Sequence, residues 1–453
     1  MLSAICIIRF LKLREAQLHY ITTAEVTYKM NQIQFRIVVG SYEHTLLSLS
    51  VTVPIKKDEK DDREAHFQPI FHFQAHTMSI RALDICRRYL VSGANDEHIC
   101  LYDMQKRKEL GTMLKQQGSI TKLVFSDESN HLRDNKTEYL SHKTGKWLLS
   151  ASEDGTILIW RVKDWEQFGT LKGHKGAIND INIHPSGRVA ISVSNDRTVK
   201  LWNLMTAHKA STLKLRGKIT LGQLPYFCKF DKKTGGDYFV VGLTTRLLLY
   251  KTREAKVFHI FTFEKTLMCI DFLVLDDHQY LVVGLSDGSI AFYPFDPESL
   301  SALESEADEN SLVSEIGEPE FKLQGHATRV KGFSIYQEKD INSGKVLTYL
   351  VSISSDGRIV VWDMQKRDQV AVYATSERLN VVSTFPESIE KADTMQSTLE
   401  KAEAASKIEK NESDEESEDE KKELEELVKK RKRKAKKQRR REKRRLMKVE
   451  IEK

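Results

Sequence analysis

The 453-residue chain holds only five cysteines, Cys6, Cys86, Cys100, Cys228 and Cys269, with no CxxC pair and no zinc-ligand spacing. Thiols scattered in this way argue against a metal centre and read as buried groups of a reducing compartment. No apolar run approaches the ~20 residues that a membrane helix needs, so no membrane association is expected. A Walker loop, an HExxH pair and an unrepeated catalytic triad are also lacking. The chain therefore reads as a non-enzyme, with no cofactor, no metal and no small-molecule substrate expected. Hydrophobic residues at 40% and charged residues at 30% describe a soluble globular protein with something highly charged attached.

What is present is a repeat. Residues 148–162, LLSASEDGTILIWRV, place an Asp-Gly turn between two apolar runs, the signature of a β-hairpin. Aligned on that turn are LVSGANDEHICLYD (90–103), AISVSNDRTVKLWN (190–203) and LVSISSDGRIVVWD (350–363). Ser92, Ser150, Ser192 and Ser352 each lie four residues before Asp96, Asp154, Asp196 and Asp356, and Tyr102, Trp160, Trp202 and Trp362 stand six residues after those aspartates. Weaker copies occur at 35–51, 238–250 and 280–293. Self-similarity at a period of ~40–50 residues points to a propeller or solenoid.

Upstream of three of these turns, His76, His174 and His326 each precede an apolar strand by four residues, and Gln116 stands at the same place before the 148–162 hairpin. Histidine, serine and aspartate can form a nucleophilic triad. Their recurrence argues instead for a fold-stabilising set, because catalysis needs one pocket whereas buried polar groups need pairing in every repeat. The pattern resembles the WD40 repeat. The resemblance implies that His, Ser, Asp and Trp form a hydrogen-bonded set tying one four-stranded blade together, complete for His174, Ser192, Asp196, Trp202 and for His326, Ser352, Asp356, Trp362. It is partial for His76, Ser92, Asp96, Tyr102 and for Ser150, Asp154, Trp160. The three weaker copies are expected to rest mainly on apolar packing.

Seven turns imply an all-β, seven-bladed propeller over residues 33–388. Its first hairpin, 35–53, followed by FQPIFHF (67–73), is one strand short of a blade, and LNVVSTF (379–385) has no other partner. A composite blade built from both ends would close the ring and remove its open edges. The insertions 54–66, 126–146 and 297–319 are polar, the last strongly acidic, and read as solvent loops. Residues 1–32 read either as a targeting segment or as an extension ahead of a mis-assigned start.

An acidic linker, 389–427, precedes a basic tail, 428–453. Its cations are Lys429, Lys430, Arg431, Lys432, Arg433, Lys434, Lys436, Lys437, Arg439, Arg440, Arg441, Lys443, Arg444 and Arg445, followed by Lys448 and the terminal Lys453. With only Glu442 against them, the 429–448 window carries +14, so the rest of a chain totalling +6 sums to −8. Such a block is disordered or a solvated helix in isolation, and serves nuclear import and RNA binding through phosphate neutralisation. Ser413 and Ser417 each precede an acid by three positions, Glu416 and Glu420, and are candidate phosphorylation sites.

The propeller with WRVKDWEQ (160–167), HKGAINDINIHPSGR (174–188) and this tail is similar to the p21-activated-kinase-interacting protein family, with its fungal maintenance-of-killer branch. The similarity covers roughly residues 33–450, and the N-terminal extension departs from it. The resemblance implies a scaffold of the nucleus and nucleolus that assembles the large (60S) ribosomal subunit, with pre-ribosomal proteins and RNA as partners. The alternative it implies is an adaptor that binds and negatively regulates a p21-activated protein kinase.

Overall fold

Alternating apolar residues and tight turns give this chain short antiparallel strands. The computed structural model describes residues 32–55, 64–127, 145–297, 313–339 and 345–387. Readings made above for residues 1–31, for the linker and tail from 388 onward, for Ser413 and Ser417, and for most of each insertion lie outside the described residues. In the 148–162 hairpin, Trp147–Ser152 pairs with Thr156–Arg161, Ser150 opposite Leu158. Gly155 turns the chain at φ 80°, and a Cβ there would meet His174 O at 3.0 Å. Gly357 does the same at φ 77°, with Thr375 O 2.7 Å from the position of a Cβ. At both turns only glycine combines the left-handed backbone with the close approach of the next loop.

The strands form seven sheets. In chain order their innermost strands are Ile80–Cys86, Ile120–Phe125, Ile178–Ile183, Phe227–Phe230, Leu267–Leu275, Val330–Lys339 and Leu379–Pro386, here blades 1 to 7. Blade 7 is the composite: Leu379–Pro386 pairs antiparallel with Gln32–Ser41, from Ser41 opposite Leu379 to Phe35 opposite Pro386. The buried Arg36 guanidinium donates two hydrogen bonds to Glu387, at 2.5 and 2.6 Å, and Ser50 Oγ donates a third at 3.1 Å. Blade 4 departs from the four-stranded expectation. Val313–Glu315, at the end of the acidic insertion, pairs parallel with Lys256–Thr262 and makes it five-stranded. The outer edge of blade 4 offered unpaired backbone groups, and the returning insertion satisfies them.

Between each pair of adjacent sheets lies one apolar layer, seven in all. In the layer between blades 6 and 7, Phe35 stacks on Tyr336 with centroids 4.5 Å apart. Each junction also has a polar link at the inner strands. Asp84 accepts from Phe125 N at 2.8 Å, Lys122 lies 3.5 Å from Asp180, and Asp180 accepts from Cys228 N at 3.0 Å. Lys229 meets Asp271 at 2.9 Å, and Gln337 donates to Val274 O at 3.2 Å. Ser334 bonds Thr384 at 2.8 Å, and Asn380 donates to Ile80 O at 3.1 Å. Burial disfavours the charged form of Lys229, yet Asp271 and Asp180 beside it raise its pKa above the ordinary value.

Closure gives a direct test. Glu387→Ala leaves the buried Arg36 fork without its partly exposed carboxylate, and is expected to destabilise the whole ring by ~1.5–3 kcal/mol in urea unfolding. Deleting 375–388 exposes the apolar edge of Gln32–Ser41 and is expected to lower the melting temperature of every blade together. A truncation that melts like the intact chain would refute closure by this strand.

Candidate functional site

Each complete blade carries its polar set at one end of the ring, where the turn between its second and third strands meets the loop entering its innermost strand. In blade 3, Trp202 Nε1 donates to Ser192 Oγ at 2.7 Å, and Ser192 Oγ bonds His174 Nε2 at 2.8 Å. His174 Nδ1 bonds Asp196 Oδ2 at 3.0 Å, and the carboxylate also accepts from Lys175 N, Thr198 N and Thr198 Oγ1. The Asp196 carboxylate can only accept, so Nδ1 carries the imidazole proton; with the ring neutral, Nε2 accepts from Ser192 Oγ, which itself accepts from the indole. A neutral imidazole in one tautomer completes the chain. Trp202 is 1% exposed and fills the layer toward blade 2.

The sequence-predicted residues are brought together in four blades, with differences in detail. Blade 1 keeps His76 Nε2 on Ser92 Oγ at 2.8 Å and Nδ1 on Asp96 at 3.0 Å, while burial and neighbouring Cys100 raise the Tyr102 phenol well above its usual range. In blade 6, Ser352 Oγ bonds His326 Nε2 and accepts from Trp362 Nε1, both at 2.8 Å. That set was expected to be complete, but His326 Nδ1 stands 3.6 Å from Asp356, beyond hydrogen-bond length. Asp356 is instead taken up by Ala327 N and Arg358 N, each at 2.9 Å. In blade 2, Trp160 Nε1 donates to Ser150 Oγ at 2.9 Å, and Gln116 reaches the Ser150 backbone carbonyl at 3.1 Å. Asp154 accepts from Gln117 N at 3.3 Å.

The three weaker repeats do not rest on apolar packing alone. Blade 4 joins the same loop to the same turn through Gln223 Nε2, which donates to Thr245 Oγ1 at 2.7 Å, and Gln223 Oε1, which accepts from Thr245 N at 3.1 Å. Blade 5 uses an ion pair, Lys265 with Asp287. Blade 7 uses Glu377, which accepts from Thr45 Oγ1 and bonds His72 Nε2 at 2.9 Å. Matching on His, Ser, Asp and Trp could not find these pairs. A search for any two polar residues at the loop and turn positions would have.

The His–Ser–Asp sets recur in blades 1, 3 and 6, and Ser92, Ser192 and Ser352 are fully buried. In blades 3 and 6 the serine oxygen is engaged by both the histidine and the indole. Such a serine has no path to a substrate carbonyl, so the arrangement holds a blade and does not perform acyl transfer. Among the described residues no cluster of His, Cys, Asp or Glu could hold a metal ion. The four described cysteines are unbridged, and burial pushes the Cys269 thiol up to about 12.

Comparison with known proteins agrees with this geometry. The family model for the WD domain, G-beta repeat, matches residues 67–103, 139–161 and 165–203. "Protein MAK11" of Saccharomyces cerevisiae is 51% identical over 80% of this chain and 86% of its own. The "p21-activated protein kinase-interacting protein 1-like" of Gallus gallus is 29% identical over 83% of this chain and 86% of its own. The "Shk1 kinase-binding protein 15" of Schizosaccharomyces pombe is 22% identical over 72% of this chain and 77% of its own.

Burial pulls His76, His174 and His326 below the ordinary imidazole value, in each case outweighing the neighbouring aspartate. Asp196 is held at about 2, because Thr198, Lys175 and His174 hydrogen-bond its carboxylate and outweigh burial. The signs follow from linkage. The unfolded chain binds protons on its histidines first, so stability falls as pH drops through ~6.5 toward the folded values. A second loss follows as pH falls from ~4 through the folded Asp196 value. Urea unfolding from pH 7 to 5 is expected to show the first loss, and His174→Gln, which copies blade 2, should make that slope shallower. Asp196→Ala is expected to cost ~1–3 kcal/mol at pH 7 through unpaired buried donors.

Proposed function

Because the chain belongs to the WD40-repeat family that contains MAK11 and the p21-activated protein kinase-interacting proteins, we propose that it is a non-enzymatic scaffold for large-subunit ribosome assembly. In this reading the ring holds a protein of the precursor particle, the basic tail grips its RNA, and the protein works in the nucleus and nucleolus. The observation that carries the reading is a division of chemistry within one chain. The ring spends its buried histidines and aspartates on its own blades and offers rigid loops to a partner. The 429–448 block, with fifteen Lys or Arg in twenty residues, neutralises phosphate without reading sequence. Neither part suffices alone. The tail cannot choose one RNA among many, and tethering it to a specific protein contact raises its effective concentration at one particle.

A second reading is favoured by the names of two relatives, a p21-activated protein kinase-interacting protein and a Shk1 kinase-binding protein. Here the ring is an adaptor that binds and restrains a protein kinase. Sedimentation of cell extract separates the two. Co-migration with large-subunit precursors supports the first, and recovery only in light fractions with a kinase supports the second. Removal of 429–448, with a heterologous import signal supplied, is expected to weaken particle association and flatten the salt dependence of RNA binding, while the protein partner stays bound. A tailless protein that loses its protein partner but keeps the original salt slope would reverse the assignment.

A further inference from the structure

The composite blade has a cavity where a complete blade holds an imidazole. In blade 3, Ser192 lies opposite Ile181 on the inner strand and Lys200 on the third, and His174, four residues before Ile178, reaches its hydroxyl. The corresponding residues of blade 7 follow from the pairing. Val39 lies opposite Val382 and Leu47, and so takes the place of the serine. Thr375, four residues before Leu379, takes the place of the histidine, and Leu49, opposite Ile37, that of the tryptophan. A threonine is too short to span the gap that an imidazole bridges. Its hydroxyl donates instead to Gly357 O of blade 6 at 2.7 Å. The space left over is about 250 Å³.

Val39, Leu47 and Leu379 give this cavity an apolar lining, and Tyr373 of blade 6, His72 and Glu377 complete it. The Glu377 side chain is 17% exposed. Burial opposes its ionisation, but hydrogen bonds from Thr45, Ser41 and His72 outweigh burial and keep the carboxylate charged. In blade 5 the acid at this level, Asp287, has Lys265 against it. Among the described residues no lysine or arginine lies within ion-pair distance of Glu377. The cavity lies at the end of the ring that carries the polar sets. The segments outside the described residues join the ring at its other end: 1–31 ahead of Gln32, the chain from 388 onward after the last inner strand, and the four internal ones between first and second or third and fourth strands.

We propose that this cavity receives one arginine or lysine side chain of the protein that the ring holds, its aliphatic stem against Val39, Leu47 and Leu379 and its cationic head on Glu377. The volume falls below the ~300–1,000 Å³ of small-molecule sites and suits a single side chain. Long basic side chains carry both parts that the lining asks for, an apolar stem and a charged tip. A carboxylate already shielded from water gains a strong, charge-assisted hydrogen bond from such a tip. The same carboxylate repels phosphate, so the pocket favours protein over RNA. The inference rests on the reading that the ring holds a protein, and supplies that contact with a point of recognition at the junction of blades 6 and 7.

The test places photoreactive p-benzoylphenylalanine at Ser376, an exposed residue of the rim, in the full chain in living cells. Irradiation is expected to join the chain to one segment of a partner protein. A synthetic peptide of that segment is then titrated against the purified full chain. Changing its arginine or lysine to norleucine, which keeps the stem and removes the charge, should weaken binding about ten- to a hundredfold, the range of a hydrogen bond to a charged group. Glu377→Gln in the chain should cost the same, and the two changes together no more than either alone. Leu47→Phe, which fills the cavity, should abolish binding. Equal melting temperatures verify that these variants fold, and the peptide series tests the pocket in the unaltered chain. Crosslinks to RNA alone, or none from a chain that still travels with its protein partner, overturn the proposal. So do basic residues whose replacement costs nothing, losses that add in the double change, and a crosslink to the chain's own basic block, 429–448. A native chain that sediments free of any protein refutes the scaffold reading instead.

Discussion

The architecture depends on closure of the ring. A sheet of four strands buries its two faces only if another sheet stands on each side, and a row of sheets leaves two faces bare unless it returns to its start. Here the return is made by Leu379–Pro386 lying against Gln32–Ser41, fastened by the Arg36–Glu387 fork. With that seam in place every blade has two neighbours. The seven apolar layers and the polar links at the inner strands then form a continuous circuit with no weak terminal member.

The polar sets serve the same circuit one level down. Each ties the loop arriving from the preceding blade to a hairpin turn, and so fixes where the innermost strand begins. His–Asp, Gln–Thr, Lys–Asp and Glu–Thr pairs all perform this task at equivalent places. What the position requires is a donor facing an acceptor in a partly buried site, not a particular residue type. The retention of the Trp–Ser–His chain in blades 3 and 6 adds rigidity where a large indole must also be packed.

Much of this was legible in the sequence, for identifiable reasons. Turn residues and strand alternation are local, so the seven hairpins could be placed from spacing, and the four strands of a WD40 blade then left the two terminal segments to share one. The Ser–Trp and His–Ser contacts followed from the resemblance to the WD40 repeat, carried onto the copies that keep those residues in register. Three things were hidden. The stretched His326–Asp356 pair depends on how Ala327 and Arg358 present their backbone, which residue identity does not encode. The inner links join residues of different repeats, so no within-repeat alignment reveals them. For four of the seven the trace is an acid inside a mostly apolar inner strand, as in RALDI around Asp84 and CIDF around Asp271. The fifth strand of blade 4 comes from an insertion whose composition reads as loop, and only the open edge beside it makes pairing favourable.

The seam has a consequence for biosynthesis. Arg36 and Glu387 are 351 positions apart, so the contact that completes the ring joins the first described strand to the last. While the chain is being translated, Gln32–Ser41 waits beside an unfilled edge until residue 386 has left the exit tunnel. Blades 1 to 6 can stack as they emerge, since each contacts its predecessor, but the assembly remains an open arc with one unpaired strand edge throughout. Bringing such distant segments together is entropically slow compared with forming a hairpin. The interval between synthesis of blade 1 and arrival of the final strand is therefore when this protein is most exposed to misassembly with other nascent chains, and when a chaperone has the most surface to protect.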